Sequence, residues 1–84
     1  MSLSATLADF QTMEIQRQLG KNIRAIRLEQ GRSQEQFAFD ANIHRTYVSG
    51  VERGARNPSL TVVEKFAKAL GVTPGELLDY HLKK

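Results

Sequence analysis

The stretch Ala41–Leu60, ANIHRTYVSGVERGARNPSL, decides how the rest of the chain is read. Its apolar residues Ile43, Tyr47, Val48 and Val51 recur at helical spacing. Between and beside them stand His44, Arg45, Thr46, Ser49 and Arg53. A helix built this way has one apolar side and one side of small hydrogen-bonding groups and arginines. Catalysis would need a nucleophile with a base, a pair of acids in a pocket or a metal cluster, and the stretch holds none of these. The helix is expected to begin near His44 and to end by Arg53, with Gly54 as its stop and ARNPS as the loop that follows.

Upstream, SQEQFAFDA reads as a short helix over residues 34–41. Ser33 is a good N-cap and Gln36, three residues on, predicts a capping box. Phe37, Ala38 and Ala41 supply its inner face. Asn42 breaks it, because asparagine tolerates the left-handed conformation that a sharp turn needs. Two short helices, opening at Gln34 and Arg45 and joined by about three residues, form a helix-turn-helix over residues 34–53.

Working outward, Ile15, Leu19, Ile23 and Ile26 predict one apolar stripe on a first helix from about residue 14 to residue 30, closed by Gly31. Residues 1–13 carry Leu3, Leu7, Phe10 and Met13 at similar spacing and read as an arm or a lead-in helix. Ser59 caps a fourth helix over residues 60–70, with Val62 or Val63, Phe66, Ala67 and Leu70 facing inward and Gly71 at its end. Thr73, Pro74 and Glu76 then open a short fifth helix with a second capping box. The expected fold is all-α: five helices in one domain over residues 14–84.

The chain has 84 residues and no cysteine, so disulfides and thiolate metal sites are excluded. No run approaches the roughly 18 apolar residues that span a membrane. The first residues lack the basic and apolar regions of a secretory signal, so a cytoplasmic protein is expected. The net charge of +3 favours a polyanionic partner only mildly. Its distribution says more. Between His44 and Asn57, Arg45, Arg53 and Arg56 stand against Glu52 alone, and arginine suits forked contacts to phosphate and guanine.

The segment SQEQFAFDANIHRTYVSGVERGARNPSLTVVEKFAKALGVTPGELL, residues 33–78, resembles the phage-repressor and Cro-type helix-turn-helix family of regulators. The resemblance rests on the glutamine opening the second helix, the small Ala38 where two helices cross, apolar Ile43, Val48 and Val51, the ERG ending, and NPSL followed by AKALGV. Asn42 departs from the family's usual glycine. The resemblance implies a compact lambda-repressor-like domain whose recognition helix is residues 45–53. HRTYVSGVERGARN is also similar to the matching stretch of restriction–modification controller proteins.

On that resemblance Arg45 is expected to hold guanine, Thr46 to offer its methyl or hydroxyl to a base, and Ser49 to face DNA. Gly50 is expected to let the groove come close. Gln34 would hydrogen-bond a phosphate or a base at a helix N-terminus. Arg53, Arg56 and Asn57 are assigned to backbone phosphates. His44 is a cap or a phosphate neighbour, and Tyr47 is half core and half phosphate contact. Arg27 and Glu52 are implied to pair across the first and third helices.

The expected partners are double-stranded DNA, a second copy of the chain and RNA polymerase, with no membrane, metal or cofactor. Leu77, Leu78 and Tyr80 are the candidate homodimer contacts, the fifth helix being the main one. An enzyme is not expected: His44 and His81 are far apart in the chain, and GVERG lacks the lysine of a phosphate-cradling loop. The rival function is a helix-turn-helix that binds protein, as an antitoxin or adaptor does.

Overall fold

Asn42 sets the angle between the two short helices. It adopts φ 57° and ψ 47°, and among the described residues it is the one non-glycine with positive φ. Its N–H is directed at the last carbonyls of the helix it ends. The computed structural model describes the backbone of residues 3–79 and the side chains of residues 14–79. Five helices follow in order: α1 (Leu3–Glu29), α2 (Gln34–Ala41), α3 (Arg45–Glu52), α4 (Leu60–Leu70) and α5 (Pro74–Leu77). The segment read as an arm or lead-in is continuous with α1. Tyr80 lies outside the described residues. No described helix is long and apolar enough to cross a membrane.

The caps explain where the helices start. Ser33 Oγ accepts from the Gln36 N–H at 3.0 Å, and Ser59 Oγ accepts from Val62 N–H at 3.3 Å. Thr73 and Glu76 form a full capping box. The box expected at Ser33 is only half formed. The Gln36 amide points forward and donates to Asp40 Oδ1 at 2.8 Å, because that carboxylate is one turn along the same face. Arg32 also donates to Asp40 at 2.8 Å. Its hydrogen bond, then that of Gln36, holds the Asp40 carboxyl below the usual aspartate range.

One apolar core joins all five helices. Leu19 and Ile23 of α1 meet Phe37, Ala38 and Ala41 of α2, Val48 and Val51 of α3, Phe66 and Leu70 of α4, and Leu77 of α5. The Phe37 and Phe66 rings lie 5.7 Å apart, centre to centre. The α1 stripe is shorter than its spacing predicts. Ile15 is 41% exposed, and Leu19, one turn on, is the first described residue of the stripe in the core. Polar side chains fasten the ends. Gln30 donates to Leu70 O and Arg32 to Ala69 O, both at 2.8 Å, so the turn after α1 satisfies the last carbonyls of α4. Asn22 donates to Leu77 O at 2.8 Å and Asp79 O at 3.0 Å, tying the end of α5 to α1.

Helix α1 comes close to the backbone at the end of α3. A Cβ on Gly20 would stand 2.3 Å from Val51 O and 2.6 Å from Glu52 O. Those are backbone atoms and cannot turn aside. Gly20→Ala is therefore expected to destabilise by about 1–3 kcal/mol, read as a lower midpoint of urea or thermal unfolding. An unchanged midpoint would mean that α1 and α3 do not meet this closely.

Candidate nucleic-acid interface

Helix α3 divides its residues between two tasks. Val48 and Val51 are fully buried. Arg45, Thr46 and Arg53 are exposed on the other side, and Ser49 is half-buried. Arg53 Nη1 donates to Ser49 Oγ at 2.7 Å, so the two side chains four residues apart form one polar ridge. Gln34, at the start of α2, shares a shallow cleft with Arg45, Thr46 and Ser49. The two helices of the motif thus bring four polar side chains onto one surface.

Glu52 anchors this surface from beneath. Its Oε2 accepts from Arg27 Nε at 2.7 Å and its Oε1 from Arg27 Nη2 at 3.0 Å. This is a two-pronged guanidinium–carboxylate contact between side chains only 6% and 2% exposed. Arg27 Nη1 donates to Arg32 O at 2.7 Å. Arg27 is therefore spent inside the fold. With Glu52 turned inward and neutralised, the charge that residues 44–57 present outward comes from Arg45, Arg53 and Arg56. That is more basic than the sequence balance implies.

Several site expectations change here. Gln34 Nε2 donates to Glu52 Oε1 at 2.9 Å, so one N–H expected for DNA is used in the fold. Its carbonyl oxygen and second N–H remain for a partner. His44 occupies the N-cap position of α3, but its side chain makes no capping bond; the ring is exposed. Gly50 does not open α3 to a groove. It is buried, and a Cβ there would lie 2.8 Å from Arg56 Cγ, so the Arg56 side chain occupies the space above it. Arg56 continues until its guanidinium carbon is 5.5 Å over the Tyr47 ring. The inner part of Tyr47 packs toward Phe66, 6.5 Å between ring centres. Asn57 is exposed in the loop after α3.

The proposed dimer set divides as well. Leu77 is 0% exposed and closes the core of its own chain, because the one-turn α5 has no other residue to bury there. It cannot also be a contact surface. Leu78 is half-buried and lines a surface groove with Leu60, Val63 and Pro74. Leu60 is 79% exposed and sequence reasoning missed it. Its position in the first turn of α4, ahead of the inward residues, was the available signal. Phe39 at 82% exposed was also missed, although it is out of phase with Phe37, Ala38 and Ala41.

The HTH_3 helix-turn-helix family pattern matches residues 23–77. The chain belongs to this family. It is 50% identical over 70 residues to Control protein C.BamHI of Bacillus amyloliquefaciens, covering 82% of this chain and 86% of that protein. Among solved structures it resembles the restriction–modification controller protein C.AhdI of Aeromonas hydrophila, at 45% identity and TM-score 0.71, over 74% of this chain and 94% of that one. It also resembles the controller protein C.Esp1396I, solved as a tetramer with its natural 35 base-pair operator, at 37% identity and TM-score 0.70. That match spans 76% of this chain and 88% of the other.

Arg27→Ala would leave Glu52 buried and facing only the Gln34 amide. The expected cost is about 3–5 kcal/mol, measured by urea unfolding. A cost within experimental error of zero would remove the pair as the anchor of α3.

Proposed function

We propose that this protein is a sequence-specific regulator of transcription that binds double-stranded DNA as a homodimer. The observation that carries the reading is the outward face of α3: Arg45, Thr46, Ser49 and Arg53 are released from the core, while Glu52 on the same helix is turned inward. A helix fits the major groove, and its first residues reach the base edges. Arg45 and Thr46 stand in that first turn. Arg45 would take the O6 and N7 of one guanine with two parallel hydrogen bonds. Thr46 would place its methyl against thymine or its hydroxyl on a base. Arg53, Arg56 and Asn57 would meet backbone phosphates and set the register without reading sequence. Gln34 would join them through its free N–H at the start of α2, where the helix dipole favours phosphate.

One such helix reads only a few base pairs. A two-fold dimer on a palindrome doubles the site, with half-sites about 34 Å apart, one turn of DNA. The groove flanked by Leu60 and Leu78 is the dimer surface we propose. Leu60, Val63, Pro74 and Leu78 give it an apolar floor beside Thr61 and Glu64, and it is built from α4 and α5, elements that the DNA-facing ridge does not use. On promoter DNA the bound dimer would block RNA polymerase or touch it, and the protein would act in the cytoplasm where that DNA is. The likeness to restriction–modification controller proteins supports a role in the control of such a system.

Arg45→Ala is expected to lose about 1–3 kcal/mol of specific binding and to relax the preference at one base position. Titration against a panel of singly substituted operators checks this, and an unchanged panel would end the assignment of Arg45 as a base reader. Leu60→Glu is expected to turn the dimer into a monomer in sedimentation at micromolar protein, with the helical circular dichroism kept and the unfolding midpoint lowered by the lost association. A dimer that persists would move the interface elsewhere.

A further inference from the structure

The loop after α3 carries Arg53, Arg56 and Asn57, and a side chain from α1 holds it. Gln16 Nε2 donates to Gly54 O at 3.4 Å and to Arg56 O at 3.2 Å. The next residue, Arg17, lies directly under Gly54: a Cβ there would come 2.9 Å from Arg17 Cγ and 3.1 Å from its Cα. One turn further on, Gly20 meets the carbonyls of Val51 and Glu52. Gln16, Arg17 and Gly20 thus follow the end of α3 and its loop as a continuous track. Above that track the Arg56 side chain crosses Gly50 and ends over the Tyr47 ring.

We propose that Gln16 is a positioning residue for DNA binding: by holding the Gly54 and Arg56 carbonyls it fixes the loop so that Arg56 lies across Gly50 and Tyr47, beside the recognition helix. The physical reason is preorganisation. Carbonyls at a half-exposed loop would be satisfied almost as well by water, so the two bonds add little to folding. Their effect is to remove alternative loop conformations before DNA arrives. An arginine already aligned loses less freedom when it meets a phosphate. The inference rests on the reading of Arg56 as a phosphate contact.

The test is Gln16→Met, which keeps the length of the side chain and removes the donor. Two measurements are made on the full chain. The first needs no DNA. Protons of Arg56 lying over the Tyr47 ring are shifted upfield by its ring current in NMR spectra, and Gln16→Met is expected to lose that shift. The second is titration against operator and unrelated duplexes over a range of salt. Affinity for both is expected to fall together by roughly two- to tenfold, and the salt slope by about one unit.

An unchanged ring-current shift would overturn the clamp. A lost shift with unchanged affinity would overturn its role in DNA binding. Arg56→Ala, measured beside it, separates the two readings. If Arg56→Ala binds normally, the phosphate assignment fails. If Arg56→Ala weakens binding while Gln16→Met does not, only the positioning role fails.

Discussion

The contact between Arg27 and Glu52 is the constraint on which the DNA-facing surface depends. An eight-residue helix such as α3 is too short to be stable alone, so its direction must come from tertiary contacts. Val48 and Val51 supply the attraction, but apolar contacts alone leave a helix free to slide and roll. The two-pronged bond at its last residue, with Gly20 allowing α1 against the carbonyls of Val51 and Glu52, fixes both rotation and height. Because Gln34 donates to the same carboxylate, the start of α2 is tied to the end of α3 through a single side chain. The motif is therefore held at three points: its hinge at Asn42, its apolar seam, and Glu52.

This arrangement also sorts charge. A carboxylate left on the outer face of α3 would repel DNA phosphates. Here the one acidic residue of the helix is consumed by a buried arginine, and the arginines of α3 and its loop remain outside. The same residue choice serves stability and electrostatics together. Ser49 bonded to Arg53, and Arg56 laid over Tyr47, extend the pattern. Long cationic side chains are held against the surface by neighbours, and each contact lowers the entropy still to be lost when a polyanion binds.

Much of the fold was legible because it is local. Caps at Ser33, Ser59 and Thr73, the break at Asn42, and the inner faces of α2 and α4 each follow from a few adjacent residues and the helical period. What was not legible depends on distance in the chain. Gly50 looks like an opening on a helix until Arg56 is folded over it. Leu77 looks like a surplus apolar residue until a core with a gap at that place exists. Ile15 belongs to a stripe whose described core residues start one turn later, at Leu19. The Arg27–Glu52 contact follows from family resemblance, since no spacing rule connects positions 25 apart. Gln16 has no local signal: glutamine in an amphipathic helix reads as surface until the loop arrives above it.

In this protein α3 is proposed to read base sequence in pairs of half-sites. Selection of bound duplexes from a random pool at near-physiological salt tests it most directly. Base reading by a two-fold pair of α3 helices yields an enriched palindrome with half-sites about one helical turn apart, with a guanine in each that is lost from the consensus selected by Arg45→Ala. A pool that yields no enriched sequence, with only weak and salt-sensitive binding, would contradict it.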